Sequence, residues 1–290
     1  MSNPSPTTLN PKQERLLLLT LAGIQFTTML DFATMMPLGA NLMRAFGISP
    51  AQFAMLLASY SIAAAASGLL GGFLIDRFDR RIALLSLYSG FALSLITCAY
   101  APTYEALLLA RTAAGAFGGI TVSLLIAMVG DAVPPERRGK AMGTVMASNP
   151  IVLILGVPAG LILASWNGWN THFFLLSGLS LCVLWCAVRT LPHVSSQQTD
   201  AHPFRHIWNI INHRVHIRAF LVRGSLVMSG GSIMPFMAPS MVLNVGLDEK
   251  FQLPLLYVLA GMCTFFTIPL MGRLADRFDK VRVIIGISAI

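Results

Sequence analysis

Long apolar stretches separated by short polar connections dominate the chain. Eight of them have about 20 or more residues, which is enough for a helix to cross the hydrocarbon core of a bilayer. They cover residues 16–40, 52–75, 82–101, 105–130, 140–164, 172–191, 217–243 and 253–272. A ninth apolar run begins at Val281 and stops at Ile290, which is too short to cross at about 1.5 Å per residue. The pattern therefore predicts an all-α membrane protein.

Composition agrees with a membrane protein and not with a soluble one. Of the 290 residues 55% are hydrophobic and 11% are charged, whereas an average soluble domain has about 25% charged residues. The net charge of +8 does not indicate nucleic-acid binding, because the basic residues form short clusters between apolar segments and no continuous basic face. The four cysteines all lie in apolar segments without a CxxC pair, so we interpret them as small buried hydrophobic side chains.

Lysine and arginine are unevenly distributed over the connections. Sixteen of them lie before the first segment or in and beside the connections that follow the second, fourth, sixth and eighth, whereas the alternate connections hold only Arg44 and Lys250. Cytoplasmic loops carry such an excess of positive charge. The bias predicts a cytoplasmic N-terminus, and we expect a multi-pass protein of the plasma (bacterial inner) membrane.

The longest polar connection divides six segments from the remainder. We therefore predict an N-terminal six-helix bundle over residues 1–191, a cytoplasmic linker over 192–216 and a partial second bundle over 217–290. Histidines are concentrated in this linker, namely His193, His202, His206, His213 and His216. Their spacing would permit a metal site, but no carboxylate cluster or thiolate pair accompanies it. We interpret the segment as a basic linker and expect no metal and no cofactor.

A polar sequence is repeated along the chain. Residues 72–81 read GFLIDRFDRR and residues 272–281 read GRLADRFDKV, so six of ten positions match at a separation of 200 residues. Each copy follows the second apolar segment of its half. Parallel repeats of this kind occur in secondary transporters, where the substrate site lies between the halves.

The repeated sequence resembles the most diagnostic motif of the major facilitator superfamily. Two further stretches agree with this resemblance: Arg111–Gly115 in the fourth segment, and Gly156, Pro158 and Gly160 in the fifth, which is similar to a motif of drug and sugar antiporters. Asp79 stands where the first motif usually has glycine. The resemblance extends over essentially the whole chain.

The resemblance implies a fold of twelve helices, of which this chain holds a complete N-terminal six-helix bundle and part of the second. It implies a monomeric secondary transporter that exports a small organic molecule, drug-like or sugar-like, in exchange for protons by alternating access. It also implies a gating latch between the halves, formed by Gly72, Asp76, Arg77, Arg80 and Arg81 and by their counterparts Gly272, Asp276 and Arg277. The arginines alone would serve topology, but topology does not require the repeated aspartate.

One carboxylate and one guanidinium lie deep in apolar segments. A charged aspartate at the centre of a helix costs about 2.5–3.5 kcal/mol on insertion scales, so Asp31 needs a partner or a proton. The first segment runs outward, and Asp31 lies several residues before its outer end. The fourth segment runs inward, and Arg111 lies about two turns from its own outer end, so the two residues are expected at similar depth. Burial disfavours the charged carboxylate and a nearby guanidinium favours it, so the pair is a candidate for proton coupling or, alternatively, a static buried ion pair. Gln25 and Asn149 are further polar candidates, either lining a cavity or bonding between helices.

Three functions are compared on these grounds. The first is proton-coupled efflux, and the second is a fragment that inserts but does not transport, because the ninth segment is incomplete. An enzyme is not expected, since no metal cluster or nucleophile constellation lies in the apolar segments.

Overall fold

The structure, a computed structural model, describes residues 10–74, 79–191, 213–248 and 250–277. Regular structure in these residues is entirely helical, which confirms the all-α prediction. The α-helices are α1 Pro11–Met35, α2 Gly39–Phe46, α3 Pro50–Leu74, α4 Arg80–Ala99, α5 Tyr104–Ala132, α6 Arg138–Met146, α7 Ser148–Ile151, α8 Val157–Asn167, α9 Asn170–Thr190, α10 Arg214–Leu243 and α11 Gln252–Arg277. A 3₁₀ turn, Pro135–Arg137, precedes α6, and a π turn, Val152–Gly156, joins α7 to α8.

Within the described residues seven helical stretches are long and apolar enough to cross a membrane. They correspond to the first seven predicted segments, and the eighth segment forms α11, whose apolar part covers Gln252–Thr267. The first segment ends earlier than predicted, at Met35. Pro37 follows, and proline lacks the N–H that would continue the helix, so the chain turns before α2 begins.

Polar side chains fix the beginnings of the membrane helices. The Asn10 side chain and the Gln13 side chain cap each other's backbone at the start of α1. Asp79, the departure from the family motif, is the N-cap of α4, where its Oδ1 accepts hydrogen bonds from the backbone N–H groups of Arg81 and Ile82. Capping of α4 therefore explains an aspartate at position 79, where the family motif usually has glycine.

Close helix packing in the N-terminal bundle depends on glycine. A side chain at Gly115 or Gly119 of α5 would overlap the backbone of Tyr60 or Ala64 of α3. Small residues of this kind let membrane helices approach closely, as between α3 and α5. Helix α9 then packs on α1 and α4, so that α1, α4, α5 and α9 enclose one buried core.

The basic connections meet at one end of this bundle. Arg137 Nη2 lies 3.0 Å from Glu14 Oε2, and Arg81 Nη2 donates to the carbonyl of Val188 at 2.7 Å. The first contact joins the beginning of α1 to the 3₁₀ turn before α6, and the second joins the beginning of α4 to the end of α9. Connections that the lysine and arginine pattern predicts on the same side of the membrane therefore lie at the same end of the bundle.

The remaining helices attach to one side of the bundle. Helix α11 packs on α7, the π turn and α8, and α10 packs on α2. A Cβ at Gly261 of α11 would lie 2.9 Å from the backbone nitrogen of Ile154, so the two backbones approach closely at the π turn. Most of α10 is exposed, including the large apolar side chains of Leu221, Met228 and Ile233.

Candidate transport site

A buried ion pair lies at the centre of the N-terminal bundle. Arg111 Nη1 of α5 donates to Asp31 Oδ1 of α1 at 2.5 Å, and both residues are fully buried. The guanidinium also lies 4.4 Å from the centre of the Tyr60 ring of α3, in a cation–π contact. Three helices therefore contribute to the pair, and the structure brings together the two charged residues singled out in the sequence.

The pair is incompletely hydrogen-bonded. Asp31 Oδ2 and Arg111 Nε are buried and have no hydrogen-bond partner among the described residues. A buried ion pair offsets its desolvation only when the geometry is good and further hydrogen bonds satisfy its remaining atoms. Asp31 Oδ2 is thus a buried acceptor and the Arg111 Nε–H a buried donor without a partner among the described residues.

Gln25 and Asn149 also lie together, and Gln25 is nearer the beginning of α1 than Asp31 is. Gln25 Nε2 donates to Asn149 Oδ1 at 3.3 Å, which links α1 to α7. Gln25 is buried and its Oε1 has no partner in the part of the chain that the structure describes. The hydrogen bond joins two helices, and Gln25 Oε1 is a buried acceptor without a partner among the described residues.

An apolar cavity lies between the N-terminal bundle and the helices α10 and α11. Its volume is about 270 Å³. The lining consists of Met29, Phe32, Ala33, Met36, Leu153, Met234, Met237, Ala238, Met241, Leu253, Leu256, Tyr257, Ala260 and Thr264. Asp31, Arg111, Gln25 and Asn149 are not among these lining residues. The connection is indirect: Phe32 lines the cavity and lies 5.9 Å from the Tyr60 ring, which in turn contacts Arg111.

The residues that resemble an antiporter motif lie at the end of the π turn and in α8, and its two glycines pack against α1 and α9. Gly156 ends the π turn, and a Cβ there would lie 2.7 Å from Leu30 Cδ1. Pro158 is in the first turn of α8, where its missing N–H interrupts the regular helix ladder. Gly160 faces His172 and Thr34, so its lack of a side chain leaves room for them.

Only part of the expected latch lies within the described residues. Arg80 Nε forms an ion pair with Asp131 Oδ2 at 3.1 Å, and Arg81 bonds to Val188 as above. Asp76 and Arg77 lie outside the described residues. Gly72 belongs to α3, and Gly272, Asp276 and Arg277 belong to α11, but the surroundings of these four are likewise not described.

Two residues near the ion pair were not singled out from the sequence. Tyr60 looked like an ordinary aromatic in an apolar segment, and nothing local indicated its contact with Arg111. His172 is the one histidine outside the linker, and this placement in an apolar segment was an available signal. It is 1% exposed, and neither ring nitrogen has a partner among the described residues. Of the linker histidines, His213 and His216 have ring centres 5.2 Å apart, and the other three are outside the described residues.

The fold is that of a membrane transporter family. Residues 21–290 match the profile of the Major Facilitator Superfamily, and the chain belongs to this family. It is 29% identical over 181 residues to YceJ of Bacillus subtilis (strain 168), an uncharacterized MFS-type transporter. That match covers 62% of this chain and 46% of YceJ, so the chain spans about half the length of this relative.

Solved transporters share the fold. A bacterial homologue of the human lysosomal transporter Spinster, in an inward-facing and unoccupied conformation, superposes with a TM-score of 0.72 at 18% identity, over 93% of this chain and 65% of that one. A D-xylose–proton symporter superposes with a TM-score of 0.67 at 20% identity, over 91% of this chain and 69% of that one. At these identities the likeness concerns the fold, which confirms the major facilitator architecture.

Proposed function

We propose that the protein takes part in proton-coupled efflux of a small, predominantly apolar organic molecule across the bacterial inner membrane by alternating access. The observation that carries this proposal is the incompletely bonded Asp31–Arg111 pair, linked through Tyr60 and Phe32 to an apolar cavity. In this scheme the N-terminus lies in the cytoplasm, as the distribution of lysine and arginine predicts. We take the working unit to be a monomer.

Protonation of Asp31 would change the forces at the pair. A neutral carboxyl no longer attracts the guanidinium of Arg111 as an ion, so Arg111 is left as an uncompensated buried charge. Movement of its side chain or helix relieves that cost and displaces Tyr60, which lies against the guanidinium. Through Phe32 this movement reaches the cavity wall, so proton binding and substrate binding influence one another.

The cavity favours a drug-like substrate over a sugar. Five of its lining residues are methionines, whose flexible side chains adapt to apolar ligands of irregular shape. Among the lining side chains only those of Tyr257 and Thr264 carry a polar group. A sugar would leave most of its hydroxyl groups without hydrogen bonds there, at a cost of about 1–3 kcal/mol for each unsatisfied group.

We further propose that the basic inner ends act as the gating latch. The contacts of Arg80 with Asp131 and of Arg81 with Val188 tie α4 to α5 and α9. Asp76, Arg77 and the repeat at Gly272, Asp276 and Arg277 would complete the latch where residues 1–191 meet residues 217–290. Residues 192–216 would then be the cytoplasmic linker between the two bundles.

Everted membrane vesicles test the proposal. Vesicles from cells expressing the chain are energised to an acidic interior and supplied with ethidium, an apolar cationic dye, or with D-xylose. We expect gradient-dependent accumulation of ethidium, no accumulation of D-xylose, and loss of ethidium accumulation in Asp31→Asn at equal membrane content. Gradient-dependent accumulation of ethidium by Asp31→Asn would remove the carboxylate from the mechanism.

A second candidate is a chain that inserts but does not transport by itself. The observation that favours it is the exposure of α10, where large apolar side chains such as Phe220, Leu221 and Met234 are open. Normal insertion without any gradient-dependent accumulation by the wild-type chain would support this second candidate. Alternating access requires two bundles that move about a site at their interface.

A further inference from the structure

His172 is a buried imidazole without hydrogen bonds. It lies in the first turn of α9, is 1% exposed, and contacts the Phe173 ring with 5.5 Å between ring centres. Neither Nδ1 nor Nε2 has a partner among the described residues. An unsatisfied buried polar group costs about 1–3 kcal/mol, so a histidine that served packing alone would be a poor choice at this position.

The imidazole lies close to the Asp31–Arg111 pair. A Cβ at Gly160 would be 2.7 Å from His172 Nδ1 and 3.1 Å from Thr34 Cγ2, so His172 and Thr34 border the same small space. Thr34 follows Asp31 by three residues and therefore lies one turn along the same face of α1. His172 thus lies beside the turn of α1 that follows Asp31, at the end of the bundle where α9 begins.

Unsatisfied atoms are concentrated here. Asp31 Oδ2, Arg111 Nε and both ring nitrogens of His172 are four of the six buried side-chain atoms without a partner among the described residues. Buried water commonly occupies such positions, because it needs two to four polar partners. Water in this region would connect the carboxylate to the imidazole by hydrogen bonds.

Building on the proton coupling proposed above, we propose that His172 is a second proton-carrying side chain, which passes protons between Asp31 and the outer end of the bundle. The proton leaves one ring nitrogen of the imidazolium, crosses through water and binds a carboxylate oxygen of Asp31. The imidazole becomes neutral, the carboxylate becomes a carboxyl, and Arg111 keeps its charge. No electrons are transferred.

An aromatic cluster lies beside His172 at the beginning of α9. Trp169 has its ring 5.0 Å from that of Phe46 and 6.1 Å from that of Phe173, the neighbour of His172. Opening of this cluster would admit protons to the imidazole.

Several ionisable groups lie on the helices packed against α9. Away from their ends these helices carry Asp31 on α1 and both Tyr88 and Cys98 on α4, with Arg111 on α5 behind them, and α8 carries none. The remaining charged residues of α1 and α4 lie at the beginnings of those helices, beside the end of α9 and away from His172: Lys12, Glu14, Arg15, Arg80 and Arg81. Asp31 is the one carboxylate among the groups away from the helix ends. In the proposed relay it is therefore the group that exchanges the proton with His172.

Nuclear magnetic resonance of the full chain, with ¹⁵N-labelled histidine in detergent micelles, tests the proposal. His172→Gln identifies the signals of His172, which are then followed through a pH titration. We expect the ring nitrogens to titrate, and Asp31→Asn to change their midpoint by about one pH unit or more, a tenfold change in proton affinity. The exposed His216 serves as the control and should not respond.

A ring of His172 that stays neutral throughout the titration would overturn the proposal, as would a midpoint that is unaffected by Asp31→Asn. If Asp31→Asn does not fold, infrared spectroscopy of the Asp31 carboxyl in His172→Gln measures the same coupling, because linkage between two sites is reciprocal. An unchanged carboxyl titration in that variant would equally refute the proposal. Neither measurement requires transport, so absence of ethidium accumulation would contradict the proposed function and leave this result standing.

Discussion

Arg111 holds Asp31 through one hydrogen bond, from Nη1 to Oδ1 at 2.5 Å, although both side chains are fully buried. A guanidinium and a carboxylate commonly form two parallel hydrogen bonds. Here the second carboxylate oxygen and the guanidinium Nε have no partner among the described residues. Each charge is thus supported chiefly by the other, and removal of one partner leaves the other buried and unpaired.

The first prediction concerns this dependence. Arg111→Met should lower the free energy of unfolding by about 3–5 kcal/mol, because it leaves the Asp31 carboxylate without its cation. The double variant Arg111→Met with Asp31→Asn should recover most of that loss, since no buried charge remains. Unfolding of the purified chain from mild detergent into dodecyl sulfate, followed by circular dichroism, measures all three free energies.

An exposed ion pair of the same chain provides the control. Arg137 pairs with Glu14 at 3.0 Å, but its side chain is 56% exposed. Arg137→Gln should change the free energy of unfolding by less than about 1 kcal/mol. Equal losses for Arg111→Met and the double variant would contradict a mutual dependence of the two buried charges.

Sequence reasoning predicted the membrane helices because their signal is local. About 20 apolar residues in succession indicate a spanning helix regardless of what surrounds it. The meeting of Asp31 with Arg111 was also within reach, since charges are rare in apolar segments and seek each other at equal depth. The end of α1 at Met35 was missed, although Pro37 marked it.

Contacts that depend on three-dimensional packing were not predictable in this way. Tyr60 is one aromatic residue among many, and only the approach of α3 to α5 places its ring 4.4 Å from the guanidinium of Arg111. That approach depends on Gly115 and Gly119, which in the sequence could equally have faced lipid. The cavity likewise arises from methionines that α1 and α10 bring together from distant parts of the chain.

The second prediction tests the packing of α3 on α5. Gly119→Ala should destabilise the chain by about 1–3 kcal/mol, because the added methyl group overlaps the backbone of Ala64 and the helices must separate. Gly130→Ala in the same helix is the matched control, since a Cβ at Gly130 meets nothing within 4 Å. It should be neutral or stabilising by up to about 1 kcal/mol through helix propensity. Thermal unfolding in micelles compares the two, and equal effects would refute close α3–α5 packing.

The third prediction concerns the space beside His172. A Cβ at Gly160 would lie 2.7 Å from His172 Nδ1, so Gly160→Ala should displace the imidazole and shift its ¹⁵N resonances. Gly178→Ala lies in α9 with His172, and its Cβ would meet nothing within 4 Å, so it should leave those resonances in place. Unchanged His172 resonances in Gly160→Ala would show that the imidazole does not pack on α8.

The fourth prediction concerns the cavity. Ala33→Leu adds three heavy atoms to the wall of a cavity of about 270 Å³ and should weaken ethidium binding about tenfold, the equivalent of 1.4 kcal/mol. Ala65→Leu makes the same change on an exposed face of α3 and should leave binding unchanged. Fluorescence titration of the purified variants measures both affinities. Equal affinities would place dye binding outside this cavity.

The fifth prediction concerns orientation in the membrane. The excess of lysine and arginine in alternate connections predicts that residues 192–216 lie on the cytoplasmic side and that the exposed Asn167, at the end of α8, lies on the opposite side. Single cysteines introduced as Gln198→Cys and Asn167→Cys, in a background with the four native cysteines replaced by alanine, can be labelled with an impermeant maleimide. We expect Asn167→Cys to react in intact cells and Gln198→Cys to react only after the membrane is opened, because the reagent cannot cross the bilayer. Labelling of Gln198→Cys from outside intact cells would reverse the proposed orientation, and with it the assignment of His172 to the outer end of the bundle.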